Sequence, residues 1–203
     1  MRYGARVRVL GIDPGSHHTG YGVVEASGTT LRLLACGTIS PGDLPLAARL
    51  AAIHQGLRDV IERTAPAAVA VEGVYHALNA RAALVLGQAR GAALAAAASA
   101  SLEVVEYAAS EIKRSVSGNG RAGKEQVGRM VGMLLGGAVP GDEHAADALA
   151  AAICHLGRCR GPGAAPGAKE ASRRVKRASA SNSARPAVIA PAGIRRGGRR
   201  SSP

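Results

Sequence analysis

The chain has 203 residues and a mass of 20.4 kDa, room for one domain or one domain plus a tail, and its three cysteines (Cys36, Cys154, Cys159) hold no C-x-x-C pair. An odd cysteine count argues against a disulfide framework and a structural zinc. With no run of eighteen bulky apolar residues and an N-terminal apolar stretch broken by Arg8, it points to a soluble protein of a reducing cytoplasm, with no membrane span or signal peptide. The net charge of +12 is unevenly placed: residues 157–203 hold 12 basic side chains and one acid, Glu170, leaving residues 1–156 close to neutral at +1.

Residues 6–12 (Arg-Val-Arg-Val-Leu-Gly-Ile) are a β-branched run that ends in the turn Asp13-Pro-Gly-Ser16. Residues 19–26 and 31–39 follow as strands separated by Ser27-Gly28, and the three read as an antiparallel meander. A helix is predicted from near Asp43 as N-cap, with Pro45 in its first turn. Leu46, Leu50, Ile53, Leu57 and Ile61 recur along one face. Residues 67–72 make a short buried strand reached by a helical crossover, hence parallel to a neighbour. An alanine-rich helix covers about residues 80–100. Gly87, Ala89, Gly91, Ala92, Ala93 and Ala96 make it small-sided, which suits either a dimer interface or close packing on the sheet. Residues 102–107 form a fifth strand, and Ser110 is read as the cap of a short helix. Past Ser117-Gly-Asn-Gly120, helices are predicted at about 124–135 and 143–155.

The fold class is therefore α/β: a five-stranded mixed sheet flanked by helices, over residues 1–156. Residues 157–203 are built from Gly, Pro, Ala, Ser and Arg, with almost no bulky side chain to bury, and are expected to be a disordered basic tail. Such a tail attracts a polyanion through counterion release, without sequence preference, or serves only to keep the chain soluble.

Asp13 closes the first strand and Glu72 the fourth. If these strands are parallel neighbours, both carboxylates emerge side by side at their carboxyl ends, where open α/β sheets place their sites. His144 and Asp147, three apart at the start of the last helix, share a face and can cross the same cleft. Three carboxylates and an imidazole repel one another unless a cation sits among them, and this donor set suits Mg²⁺, with Mn²⁺ able to substitute. Two such ions about 3.5–4 Å apart would activate water and stabilise the leaving oxygen of a phosphodiester. Taken singly, Asp13 could start a turn, Asp147 could complement its helix dipole and His144 could lie on the surface.

Leu10-Gly-Ile-Asp-Pro-Gly-Ser16 with Thr19-Gly-Tyr-Gly22 resembles the opening of the RuvC family, the bacterial Holliday-junction resolvases. Three further blocks agree in order: Val71-Glu-Gly-Val-Tyr75 with Asn79 and Leu86-Gly-Gln-Ala-Arg-Gly91; Glu106-Tyr-Ala-Ala-Ser-Glu-Ile-Lys113; and Ala145-Ala-Asp-Ala-Leu-Ala150. The resemblance covers about residues 7–155. It implies an RNase H-like fold and a homodimer that binds a four-way DNA junction. It also implies paired symmetric nicks, two Mg²⁺ ions per site, and cooperation with the RuvA and RuvB branch-migration proteins. By resemblance Asp13, Glu72 and Asp147 are the catalytic carboxylates, and His144 stands where many members carry another Asp. Tyr75 matches an aromatic position that wedges against bases at the junction centre. Asn79, Lys113 and Lys124 match positions on DNA, with Arg114 and Arg121 beside them around the Gly-Asn-Gly loop.

Three other readings fit parts of the same sequence. An RNase H-like nuclease of structured RNA keeps the fold and changes the substrate. A non-catalytic junction-binding protein would be expected to have lost a carboxylate, and none is missing. An actin-like phosphotransferase also opens on Gly-Ile-Asp-x-Gly, but it pairs two such domains, and 156 residues hold one.

Overall fold

The structure, a computed structural model, describes residues 6–73, 79–137, 139 and 141–160. Its strands are β1 (Val7–Asp13), β2 (Thr19–Ser27), β3 (Thr30–Ile39), β4 (Ala68–Glu72) and β5 (Glu103–Tyr107). Its helices are α1 (Leu46–Thr64), α2 (Ala80–Ser99), α3 (Ala109–Ser117), α4 (Lys124–Leu135) and α5 (Glu143–Arg160). The sheet order is β3-β2-β1-β4-β5, with β1–β2 and β2–β3 antiparallel and β1–β4 and β4–β5 parallel. The meander and the parallel crossover thus stand as expected, and β1 is central.

Strand alternation divides the core into two layers. Leu10 and Ile12 of β1, Val23 of β2 and Val69 and Val71 of β4 face α1 and α2, where Ile53, Leu57, Val60 and Ala89, Ala93, Ala96 and Ala97 close the layer. Val9, Val24 and Ala70 face the other way, onto α5 with α3 and α4 outside it. Nine consecutive residues of α5, 148–156, are buried, and so is Ala145. A helix buried nearly all round needs small side chains, and Ala has the highest helix propensity.

Four helix boundaries differ from the sequence reading. Asp43 does not cap α1; the helix begins at Leu46, with Pro45 in the extended conformation at the N-cap. Residues before proline are pushed out of the helical region, so Leu44 cannot be helical and the start moves past Pro45. Ser110 is not the cap of α3, which begins at Ala109. There Glu111 Oε2 reaches back to accept from the Ala108 N–H at 3.1 Å, doing the capping from the third position. The helix α2 ends at Ser99, with Ser101 beyond it at φ 57°. Finally α5 runs past His155 to Arg160, because Leu156 is buried and Arg158 Nη1 pairs with Glu111 Oε1 at 3.1 Å. The expected disordered tail otherwise lies outside the described residues.

Among the described residues α2 alone is long and apolar enough to cross a membrane by length and composition. Its apolarity is mostly alanine, and four of those alanines are buried in the α1 and α2 layer, while much of the helix is exposed.

Candidate active site

Asp13 and Glu72 end two parallel neighbours in register: Gly11 pairs with Ala70 and Ile12 with Val71. Both acids therefore stand at the same end of the sheet. By alternation with Gly11 and Ala70, both point to the α5 face. Helix α5 reaches this face because the sheet has no side chains in its way. A Cβ on Gly11 would lie 1.8 Å from the Ala148 carbonyl oxygen, one on Gly20 2.0 Å from that of His144, and one on Gly22 2.5 Å from Leu149 Cγ. Gly20 lies opposite Asp13, and Gly22 opposite Gly11. These three glycines form a floor on which the first turns of α5 rest, and that contact carries His144 to Asp13.

His144 Nδ1 lies 2.9 Å from Asp13 Oδ2, with the ring N–H donating to the carboxylate. Asp147, one turn along, is approached by Lys124 of α4, whose Nζ lies 3.9 Å from Asp147 Oδ2 and 3.4 Å from Glu143 Oε2. Burial, then the charges of Asp13 and Asp147, raise the Glu72 carboxyl above its ordinary range, while Lys113 and Lys124 oppose the rise. Asp147 is raised the same way, by burial and then Asp13, with Lys124 as the leading counterweight. In return Asp147, ahead of Glu143, holds the Lys124 ammonium above its usual range. Among the described residues, no three His, Cys, Asp or Glu side chains are close enough together to hold an ion. Asp13 and His144 meet directly, while Asp147 leans towards Lys124.

Three supporting residues were not singled out from the sequence. Asp142 caps α5: its Oδ1 accepts from the Ala145 N–H at 3.1 Å and from Thr38 Oγ1 at 2.5 Å, tying the helix to β3. The Thr38 bond, and next the Ala145 N–H, hold its carboxyl below the usual range. Its spacing to Ala145 is an N-cap signal legible in the sequence. Arg90 of α2 is mostly buried. Its Nη1 donates to the Glu72 carbonyl at 2.7 Å and its Nη2 pairs with Glu106 Oε1 at 2.5 Å. With Gly73 N–H donating to the Tyr107 carbonyl at 2.8 Å, this pins the backbone at the end of β4. The third is Arg49, which lies at the rim beside His17.

The other expected site residues divide as follows. Arg114, Arg121 and Lys124 are exposed and Lys113 half-buried, all along α3, the Gly-Asn-Gly turn and the start of α4. The turn is built by Asn119, whose Oδ1 accepts from the Arg121 N–H at 2.9 Å. Asn79 caps α2 through its Oδ1, which accepts from the Ala82 N–H at 2.8 Å, so it has a structural task beside any DNA contact. Tyr75 lies outside the described residues. Of the small residues of α2, Ala89, Ala93 and Ala96 are buried inward, while Gly87 and Gly91 face open space beside exposed Leu84.

Comparison with known proteins places this geometry. The family model for crossover junction endodeoxyribonuclease RuvC matches residues 9–155. A crossover junction endodeoxyribonuclease RuvC of Anaeromyxobacter dehalogenans (strain 2CP-C) is 57% identical over 150 residues, covering 74% of this chain and 80% of its own length. That of Anaeromyxobacter sp. (strain Fw109-5) is 50% identical over 184 residues, covering 90% of this chain and 88% of its own. Among solved structures, T. thermophilus RuvC in complex with Holliday junction substrate superposes with a TM-score of 0.72 at 37% identity, over 76% of this chain and 95% of that one. The yeast mitochondrial Holliday junction resolvase Ydc2 shares the fold, with a TM-score of 0.56 at 15% identity, over 74% of this chain and 78% of its own.

Proposed function

The chain belongs to the RuvC family of crossover junction endodeoxyribonucleases, and we propose that Asp13, Glu72, His144 and Asp147 are the groups with which it cuts DNA. Its activity is the resolution of Holliday junctions in recombination and repair, by endonucleolytic cleavage of phosphodiester bonds on an RNase H-like fold. The observation that carries the site assignment is the convergence of β1, β4 and α5. Two parallel strand ends present Asp13 and Glu72, and the glycine floor brings His144 within 2.9 Å of Asp13.

The donor set fits a hard divalent cation. Glu72 and Asp147 are held above their ordinary carboxyl range by burial and by neighbouring carboxylates, a field that a cation relieves. Asp13, Glu72, Asp147 and His144 would hold Mg²⁺, two ions per site, with Mn²⁺ able to substitute given the imidazole. Ions held by these residues would supply an activated water and charge stabilisation for in-line attack at phosphorus. Asp13 accepts the His144 N–H and so fixes the ring. Lys124, drawn to Asp147 and Glu143, exchanges those contacts for backbone phosphate. Lys113, Arg114 and Arg121 position the strand without reading sequence, and Tyr75 stacks on bases at the junction centre.

Paired symmetric nicks require two sites, and the exposed row Leu84, Gly87 and Gly91 on α2 supports a homodimer packed through that helix. We place the protein in the cytoplasm, acting with RuvA and RuvB, with residues 1–156 as nuclease core and residues 157–203 as an auxiliary DNA-attracting tail. Asp13→Asn removes one charge and keeps the shape. It is expected to abolish cleavage of a synthetic four-way junction while leaving binding in chelator within about twofold. Retained cleavage would refute the role of Asp13.

A further inference from the structure

The carboxylate end of the sheet has a second basic flank. Because β1 and β3 run the same way, the β1–β2 loop, Ser40 and the first turn of α1 converge at the end where Asp13 stands. Arg49 Nη1 donates to His17 Nε2 at 2.7 Å. The next residue, His18, has Nδ1 3.0 Å from Ser40 Oγ. Its ring stacks on that of His144, with centroids 5.5 Å apart and planes 20° from parallel. His144 in turn meets Asp13. Arg49, His17, His18, His144 and Asp13 thus form one continuous row that reaches the carboxylates from α1. Lys113, Arg114, Arg121 and Lys124 come from α3 and α4, which pack over α5 on the face of the sheet opposite to α1.

Arg49 is the unusual member. Among the described residues it has no ion pair with a carboxylate, and its Nε, shielded from solvent, has no hydrogen-bond partner. A guanidinium offers five donors in a planar fork, and a shielded donor without an acceptor is costly. The loop beside it needs no such brace, since Thr19 Oγ1 already closes it by donating to the Gly15 carbonyl at 2.6 Å. With Nη1 engaged by His17, the Nη2 donors, held beside a phosphodiester-cutting site, match a phosphate oxygen.

We propose that Arg49, oriented by His17, binds a backbone phosphate of the junction on the α1 side of the carboxylates, so that the strand is gripped from both faces of the sheet. This rests on the junction-resolving reading above. The test uses the full chain and a synthetic four-way junction in chelator, with affinity measured across a salt series. Losing one phosphate contact in Arg49→Ala is expected to weaken binding about three- to tenfold and to reduce the salt slope by about one. Arg49→Lys, which keeps the charge, is expected to keep the slope. Neutralising single phosphates as methylphosphonates should reveal one position that weakens the wild type and not Arg49→Ala. Wild-type affinity and slope in Arg49→Ala would overturn the proposal, as would equal losses in Arg49→Ala and Arg49→Lys with an unchanged slope. If Arg49→Ala does not fold, His17→Ala is read instead: it leaves the charge but frees the fork, and unchanged affinity would overturn the orienting role. A wild type that prefers no junction over duplex would overturn the parent reading itself, a result visible before any variant is made.

Discussion

Gly20→Ala is the sharpest probe of how the site is assembled. The added methyl would sit 2.0 Å from the His144 carbonyl oxygen and 3.0 Å from its Cβ, where ordinary contact begins near 3.4 Å, so α5 must retreat by about 1.4 Å at its first turn. The helix is sandwiched between the sheet and the α3 and α4 layer, and overpacking of this kind costs about 1–3 kcal/mol. For a domain of this size that lowers Tm by roughly 2–4 °C per kcal/mol. The larger effect is on chemistry. His144 is drawn from Asp13, and a displacement of about 1 Å among reacting groups can cost on the order of 100-fold in rate. Thermal unfolding, single-turnover nicking at saturating protein and junction affinity in chelator separate the effects: Tm and rate should fall while affinity holds. Gly128→Ala, in α4 with nothing within 4 Å of the new methyl, is the control and should raise stability by up to about 1 kcal/mol. A Gly20→Ala protein with wild-type Tm and wild-type nicking would refute the glycine-floor argument.

Other expectations follow from the same contacts. Arg90→Met leaves the Glu72 carbonyl and Glu106 without their shared partner and should slow nicking about 10-fold or more with junction affinity intact; equal rates would remove Arg90 from the positioning set. Glu72→Gln should raise stability in chelator by about 0.5–2 kcal/mol while cutting is lost, because relieving a strained functional site commonly gives this much. The sign follows from linkage. Glu72 is raised in the fold, so its cost sets in as pH climbs above about 4.5, the unfolded value, and is complete above the raised one; the gain should vanish at lower pH. His155, buried against Tyr107 with Nδ1 2.9 Å from the phenol oxygen, is lowered by burial. Its contribution is full above about pH 6.5 and is lost as pH falls through the window below that value, so His155→Gln should flatten the acid side of a Tm-against-pH curve. Truncation after Arg160 should weaken salt-sensitive affinity and spare the preference for junction over duplex; an unchanged salt slope would deny the tail a role.

How much was legible in the sequence depended on range. Asp13 and Glu72 could be placed together because each ends a strand, and parallel neighbours end on the same side. His144 and Asp147 could be put on one face by their spacing. What closes the site is not written in local pattern. Gly20 and Gly22 look like strand glycines in the sequence, and only the seating of α5 shows why side chains there are excluded. Arg90 and Arg49 sit in helices whose charges look like solvated faces, and their partners, Glu72 and His17, lie 18 and 32 residues away. The start of α1 was misjudged because Asp43 offers a cap that the proline two residues on forbids. The end of α5 was hidden by Gly157 and the arginines after it, which resemble the tail until Arg158 is seen on Glu111 and over the Tyr107 ring.

The central claim is tested most directly by strand-resolved cleavage of a mobile four-way junction beside a linear duplex of the same sequence, with Mg²⁺, with Mn²⁺ and with chelator. Paired symmetric nicks in the junction alone, dependent on the ion and lost in Asp13→Asn, are the expected result. Binding without cleavage in either ion, or equal cutting of the duplex, would contradict it.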